Sequence, residues 1–199
     1  MSLNRFVFRN NFVSECGSQC VEPAGGCTTN MDGGKFYTNI FLNISGTNGV
    51  LKGTCNGAFI NTLVYGNTVV NSNGPILYQN NLNKGKGTGN VVMNNLLYNV
   101  SSLVAEEDGD PITQSNNWLS SCVSPFVSTT DFHLKASSAL APINVIGQTL
   151  VSPAGQTYHL DFDGRPRNAD QVWDIGAYEF SGNSGNLPVP PANLRIPGN

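Results

Sequence analysis

The sequence predicts an all-β chain wound as a single-stranded parallel β-helix, a solenoid with an irregular C-terminal cap. Its coil length, counted in amino acids, is about 22–28. Three observations predict it. Asn11, Asn39, Asn67 and Asn95 follow one another at gap-free 28-residue intervals, and a shorter step brings Asn117 with Trp118 and Leu119. Two apolar columns keep the same period: Phe8, Phe36, Val64 and Val92 before each asparagine, and Val13, Phe41, Val69 and Leu97 after it, with Leu119 extending the second. The apolar runs are short, rich in Val, Ile, Phe and Tyr, and separated by Asn-Gly, Gly-Gly and Ser-Asn-Gly turns. That is strand vocabulary, and the glycine-free stretches of 3.6 periodicity that a helical solenoid needs are missing. A fixed period of this size marks stacked units that bury their apolar faces only against their neighbours.

Taken in chain order, residues 1–3 read as a remnant ahead of the first coil, with no charged, apolar and cleavage regions of a signal peptide. Residues 4–180 hold the coils and cap, read as the carboxyl-terminal part of a longer protein. A natural short chain starting with its own capping coil is the alternative. Equivalent residues of adjacent coils should lie about 4.8 Å apart. At that spacing Asn11, Asn39, Asn67 and Asn95 form a ladder in which each side-chain amide donates to the next. Asparagine also tolerates the left-handed backbone of a sharp bend. Asn43, Asn71 and Asn99 make a second ladder.

The same ruler pairs the cysteines. Cys27 and Cys55 stand one full period apart, which stacks them within disulfide reach on adjacent coils. Cys16 and Cys20 are spaced for a small local bridge, leaving Cys122 alone. Reduced, half-buried thiols are the competing reading. Bridges would mean an oxidising compartment.

The later segments are less regular. Lys84 and Lys86 stand in a glycine-rich run that would touch an anionic polysaccharide or simply form a solvated loop. Glu106, Glu107, Asp108 and Asp110 form an acidic turn, a solvated loop or a weak Ca²⁺ site; no other cofactor is expected. Near the end, Asp163, Arg165, Arg167, Asp174 and Glu179 are expected to form ion pairs that clasp a cap over the last coil, with Arg167 on Asp174 or Glu179. Residues 181–199 read as a Gly/Ser/Pro linker toward a further module.

Asp131-Phe-His-Leu, Asp161-Phe-Asp-Gly-Arg-Pro-Arg and Asp174-Ile-Gly-Ala-Tyr-Glu carry a resemblance. Together they resemble the carboxyl-terminal end of secreted bacterial right-handed β-helix proteins of the pectate-lyase-like superfamily, including the choice-of-anchor type. The turn between the first two departs from the pattern, since residues 137–147 lack its aspartate and carry an insertion. The resemblance implies a right-handed helix, a secreted or cell-surface location and a link to polysaccharide.

Composition narrows the partners. Charged residues make up 12%, below the roughly 25% of an average domain. Asparagine and glycine take the missing share. A net charge of -3 leaves no basic footprint for nucleic acid. No apolar run is long enough for a membrane-spanning helix. A monomer joined to upstream coils and a downstream module is expected.

Catalysis in this fold needs residues about one period apart. The resemblance implies lyases that use Ca²⁺-bound carboxylates with a Lys or Arg base, or hydrolases that use clustered aspartates. One period beyond Glu15, Glu22 and Asp32 lie Asn43, Val50 and Ile60, so no carboxylates stack. Two readings follow: a segment completing and capping the solenoid of a protein that binds, cleaves or hydrolyses polysaccharide, or a noncatalytic adhesin or stalk module. No catalytic residues are assigned.

Overall fold

The computed structural model describes residues 3–22, 30–53, 57–79, 87–106, 110–135, 160–167 and 174–180. Every regular element among them is a strand. A first pass of the chain lays down β1 (Leu3–Asn4), β2 (Val7–Arg9) and β3 (Phe12–Ser14). The second gives β4 (Met31–Asp32), β5 (Lys35–Tyr37), β6 (Ile40–Ile44) and β7 (Leu51–Gly53). The third gives β8 (Phe59–Ile60), β9 (Leu63–Tyr65), β10 (Thr68–Ser72) and β11 (Leu77–Gln79). The fourth gives β12 (Val91–Met93), β13 (Leu96–Val100) and β14 (Val104–Glu106), and the fifth β15 (Thr113–Ser115) and β16 (Trp118–Ser120).

Corresponding strands of successive passes pair in parallel. They form four stacked sheets: β1-β4-β8, β2-β5-β9-β12-β15, β3-β6-β10-β13-β16 and β7-β11-β14. This arrangement is compatible with a parallel β-helix. The two apolar columns stack residue on residue, Phe8 on Phe36 and Val64 on Val92, Val69 between Phe41 and Leu97, Leu97 on Leu119. In three of the four sheets the early passes keep the asparagine period, a step of 28, as in Thr68 on Leu96 and Asn67 on Asn95, whereas in β7-β11-β14 Leu51 meets Leu77 and Leu77 meets Val104, steps of 26 and 27. The step shortens to 22 where Leu96 meets Trp118 and Asn95 meets Asn117. Leu3 pairs with Met31 and so belongs to the first pass, one position ahead of the boundary expected at residue 4.

The bends are set by columns of left-handed residues. One contains Arg5, Gly33, Asn61 and Gly89; the next Asn10, Thr38, Gly66, Asn94 and Asn116; the third Glu15, Asn43, Asn71 and Asn99. The sequence reading is corrected here for the first ladder. Its asparagines sit one residue after the left-handed position, and the bend falls on the residue before them.

Inward-pointing Phe36, Phe41, Ile44, Leu51, Phe59, Val69, Leu77 and Leu97 make the inner core. Each such side chain contributes about 1.5–3 kcal/mol by leaving water. A second core lies on the opposite face of the β3-β6-β10-β13-β16 sheet. There Ile40, Leu42, Val70, Leu96, Tyr98 and Trp118 meet Phe126, Phe132, Leu134, Ile175, Ala177 and Tyr178. The described C-terminal segments, 126–135, 160–167 and 174–180, therefore run as a strap along the side of the passes. Phe132 reaches Phe12 of the first pass with ring centroids 6.4 Å apart, and the Ala177 N–H donates to Thr68 Oγ1 of the third at 2.9 Å. The expectation of a lid over the last coil is corrected: these residues flank the sheet, and Leu119 on the final strand is 46% exposed. The physical reason is the run of apolar residues after the interior ladder asparagines, Ile40-Phe-Leu, Val69-Val70 and Leu96-Leu-Tyr. Such a strand must be buried on both faces.

Candidate functional site

The two asparagine columns differ in how fully they are bonded. In the first, Asn67 Nδ2 donates to Asn95 Oδ1 at 2.9 Å and to the Phe36 carbonyl at 3.0 Å. Its Oδ1 accepts from the Asn39 backbone N–H at 3.1 Å and from Asn39 Nδ2 at 2.9 Å. Two donations and two acceptances exhaust the amide. Asn39 and Asn95 repeat the pattern, and Asn117 extends it, accepting from Asn95 N and Nδ2, each at 2.9 Å. Asn39, Asn67 and Asn95 are fully buried. These three interior rungs have nothing left to offer a ligand.

The second column lies at the surface and is only partly bonded. Asn43 Nδ2 donates to Glu15 Oε1 at 2.8 Å, Asn71 Nδ2 to Asn43 Oδ1 at 3.0 Å, and Asn99 Nδ2 to Asn71 Oδ1 at 2.8 Å. Glu15 is thus a rung. One N–H of each amide is used along the column, and the other points to solvent or a ligand. Two residues further along each pass stand Ser45, Asn73 and Ser101, a second exposed polar row with the same period. Asn73 Nδ2 donates to the Ser45 carbonyl at 2.9 Å. These rows, with Thr47 and Ser121, line an open groove of about 760 Å³ that crosses all five passes. Among the described residues its lining holds one carboxylate, no cation and no aromatic ring. Amides and hydroxyls at the strand spacing of about 4.8 Å can bond the hydroxyls of an extended chain, and they cannot perform acid–base chemistry on it.

Comparison with known protein families, curated proteins and solved structures finds no match to this chain. What the chain does must be read from its own geometry.

Cys16 and Cys20 form a disulfide with Cα atoms 5.3 Å apart, at the first-pass end of the groove, where Ser45 Oγ donates to the Cys16 carbonyl at 3.3 Å. Cys122 is free and exposed. Cys27 and Cys55 lie outside the described residues, as do Lys84, Lys86, Glu107, Asp108 and the 181–199 linker. Of the acidic turn, Glu106 Oε1 accepts the Ile112 N–H at 2.8 Å, and the Asp110 N–H donates to Gly87 O at 3.0 Å. Among the described residues no three His, Cys, Asp or Glu side chains gather to hold a metal ion.

The charged residues of the C-terminal motifs meet inside the strap. Arg167 is buried and uses its fork on the carbonyls of Leu160 (3.3 Å), Gly176 (3.0 Å) and Ala177 (2.8 Å) and on Glu179 Oε1 (3.1 Å). Toward Asp174 it reaches the backbone oxygen at 3.4 Å, so Glu179 is its carboxylate partner. Burial pushes the Glu179 carboxyl up to about 8, against the pull of Arg167. Asp161 Oδ1 and Oδ2 accept the backbone N–H groups of Arg165 and Glu179. Asp163 pairs with Arg165 at 3.3 Å and with His133, a residue the sequence reading passed over.

Proposed function

We propose that this chain is part of a secreted, right-handed parallel β-helix protein of the pectate-lyase-like kind, and that the described passes bind polysaccharide without cleaving it. The observation that carries the reading is the groove whose exposed amides and hydroxyls recur once per pass. A polymer of hydroxyl-bearing units is the ligand that such a repeating row matches. The lining favours a neutral polysaccharide over a polyuronate, because Glu15 would repel a uronate and no cation among the described residues faces it. Two catalytic carboxylates flanking a glycosidic bond, as hydrolysis requires, are missing from the described lining. A noncatalytic binding or stalk module therefore fits these passes better than an enzyme centre, and any chemistry of a larger parent protein belongs to other coils.

Native affinity electrophoresis through gels cast with a neutral β-glucan or mannan, or with polygalacturonate, tests the reading. Retardation is expected in a neutral gel, unchanged by a Ca²⁺ chelator, and weakened when Asn71 and Asn73 are both replaced by alanine. Equal mobility in every gel, or retardation in polygalacturonate alone, refutes it.

A further inference from the structure

We propose that the lateral strap is a pH-released latch whose bolt is the His133 ring, held between Asp131 and Asp163. His133 Nδ1 lies 2.5 Å from Asp131 Oδ1, and Nε2 lies 2.7 Å from Asp163 Oδ2. Only the doubly protonated imidazolium donates from both nitrogens; a neutral ring would turn a lone pair toward one carboxylate. Tyr178 lies over the ring with centroids 4.1 Å apart. One side chain thus joins the three strap segments, 126–135, 160–167 and 174–180.

The charged and titratable groups around the latch come from each of these segments. From its own segment there are Asp131 and Lys135, whose Nζ turns away to the Ser124 carbonyl. From 160–167 come Asp161, Asp163, Arg165 and Arg167, and from 174–180 Asp174, Tyr178 and Glu179. The sheet beneath adds Tyr98 as its ionisable member of the outer core. Burial disfavours the imidazolium, but the hydrogen bonds and charges of Asp163 and Asp131 outweigh it and raise His133 above its ordinary 6.5. A raised folded value means that the latch's stability is complete below 6.5 and is lost as pH rises through the raised value. On the acid side, burial opposes ionisation of Asp131, yet His133 draws it below 3.8, so the pair also opens when pH falls through that lowered value. Glu179, raised by burial to about 8, acts separately: its contribution is complete below 4.5 and declines as pH rises toward 8.

Hydrogen exchange followed by mass spectrometry between pH 5.5 and 8.5, corrected for intrinsic rates, separates the two groups. In the strap, the Phe162 N–H bonds Ala177 O at 2.8 Å and the Gly176 N–H bonds Asn94 O at 2.9 Å, so both report opening. Above the ordinary histidine value, strap opening should rise by up to about tenfold per pH unit for the His133 proton, while β10 and β13 stay protected. His133→Gln should remove that component, and Glu179→Gln should leave it. A strap whose protection does not change with pH, or His133→Gln with the whole wild-type slope, overturns the latch. If His133→Gln leaves the strap open at every pH, Asp163→Asn decides: a lower midpoint supports the latch, and an unmoved one refutes it.

Discussion

Asn67→Ala removes an interior rung of the buried ladder, and its cost follows from the bonds it strips. Two donors lose their acceptor, the Asn39 backbone N–H (3.1 Å) and one N–H of the Asn39 amide (2.9 Å). The Phe36 carbonyl and Asn95 Oδ1 each lose one of their donors. A buried donor without a partner costs about 1–3 kcal/mol, so the two together come to roughly 2–6 kcal/mol. Asn11→Ala sits at the open edge. It loses Nδ2 bonds to Asn39 Oδ1 (3.0 Å) and to its own neighbour's carbonyl at Arg9 (2.8 Å), in a half-buried place that water can reach. About 0.5–1.5 kcal/mol is expected there. Urea unfolding of both variants, with slopes checked for equality, measures the difference. Equal costs, or an Asn67→Ala cost under about 0.5 kcal/mol, would refute the reasoning that saturation of the interior amide holds the passes together.

Other outcomes test the strap and the thiols. Gly176→Ala places a Cβ 2.9 Å from Leu96 Cβ and from Thr68 Oγ1 at a φ of +95°, so it should loosen the strap and raise proteolytic nicking there while the passes keep their unfolding midpoint. Arg167→Met strips four carbonyls, those of Leu160, Asp174, Gly176 and Ala177, and Glu179 Oε1 of a buried donor; the strap should lose about 1–3 kcal/mol, seen as lost exchange protection in 160–167 and 174–180. Alkylation of the unreduced protein should modify Cys122 but neither Cys16 nor Cys20, and peptide mapping after reduction would reveal the bridged pair.

The period made the inner core legible before any coordinate. Phe8, Phe36, Val64 and Val92 stack as their spacing required, because a parallel pass of constant length leaves no other register. The outer core left a signal that was not read, in Ile40-Phe-Leu and Leu96-Leu-Tyr, where consecutive apolar residues cannot all face one side of a strand. What the sequence could not supply was the covering segment's path, which depends on contacts between positions far apart in the chain, such as Gly176 with Asn94. His133 was hidden for the same reason, since its partner Asp163 lies in a distant segment without the period. The groove was partly legible: Asn43, Asn71 and Asn99 stood out as a ladder, whereas the parallel row of Ser45, Asn73 and Ser101 kept the period with mixed residue types.

The two ladders show why recurrence alone does not assign a residue its role. In the buried column the amides donate toward the later pass, Asn39 to Asn67 and Asn67 to Asn95. In the outer column they donate toward the earlier one, ending on Glu15, whose Oε1 accepts from Asn43. The buried amide also collects a backbone N–H and a carbonyl from adjoining passes, which consumes its four bonding positions. The outer amide bends the backbone in the left-handed region at its own residue, turning its side chain outward beyond the sheet. One asparagine period therefore has two outcomes: where the bend precedes the residue the amide is spent on the fold, and where the bend falls on it half of the amide is left unbonded at the groove.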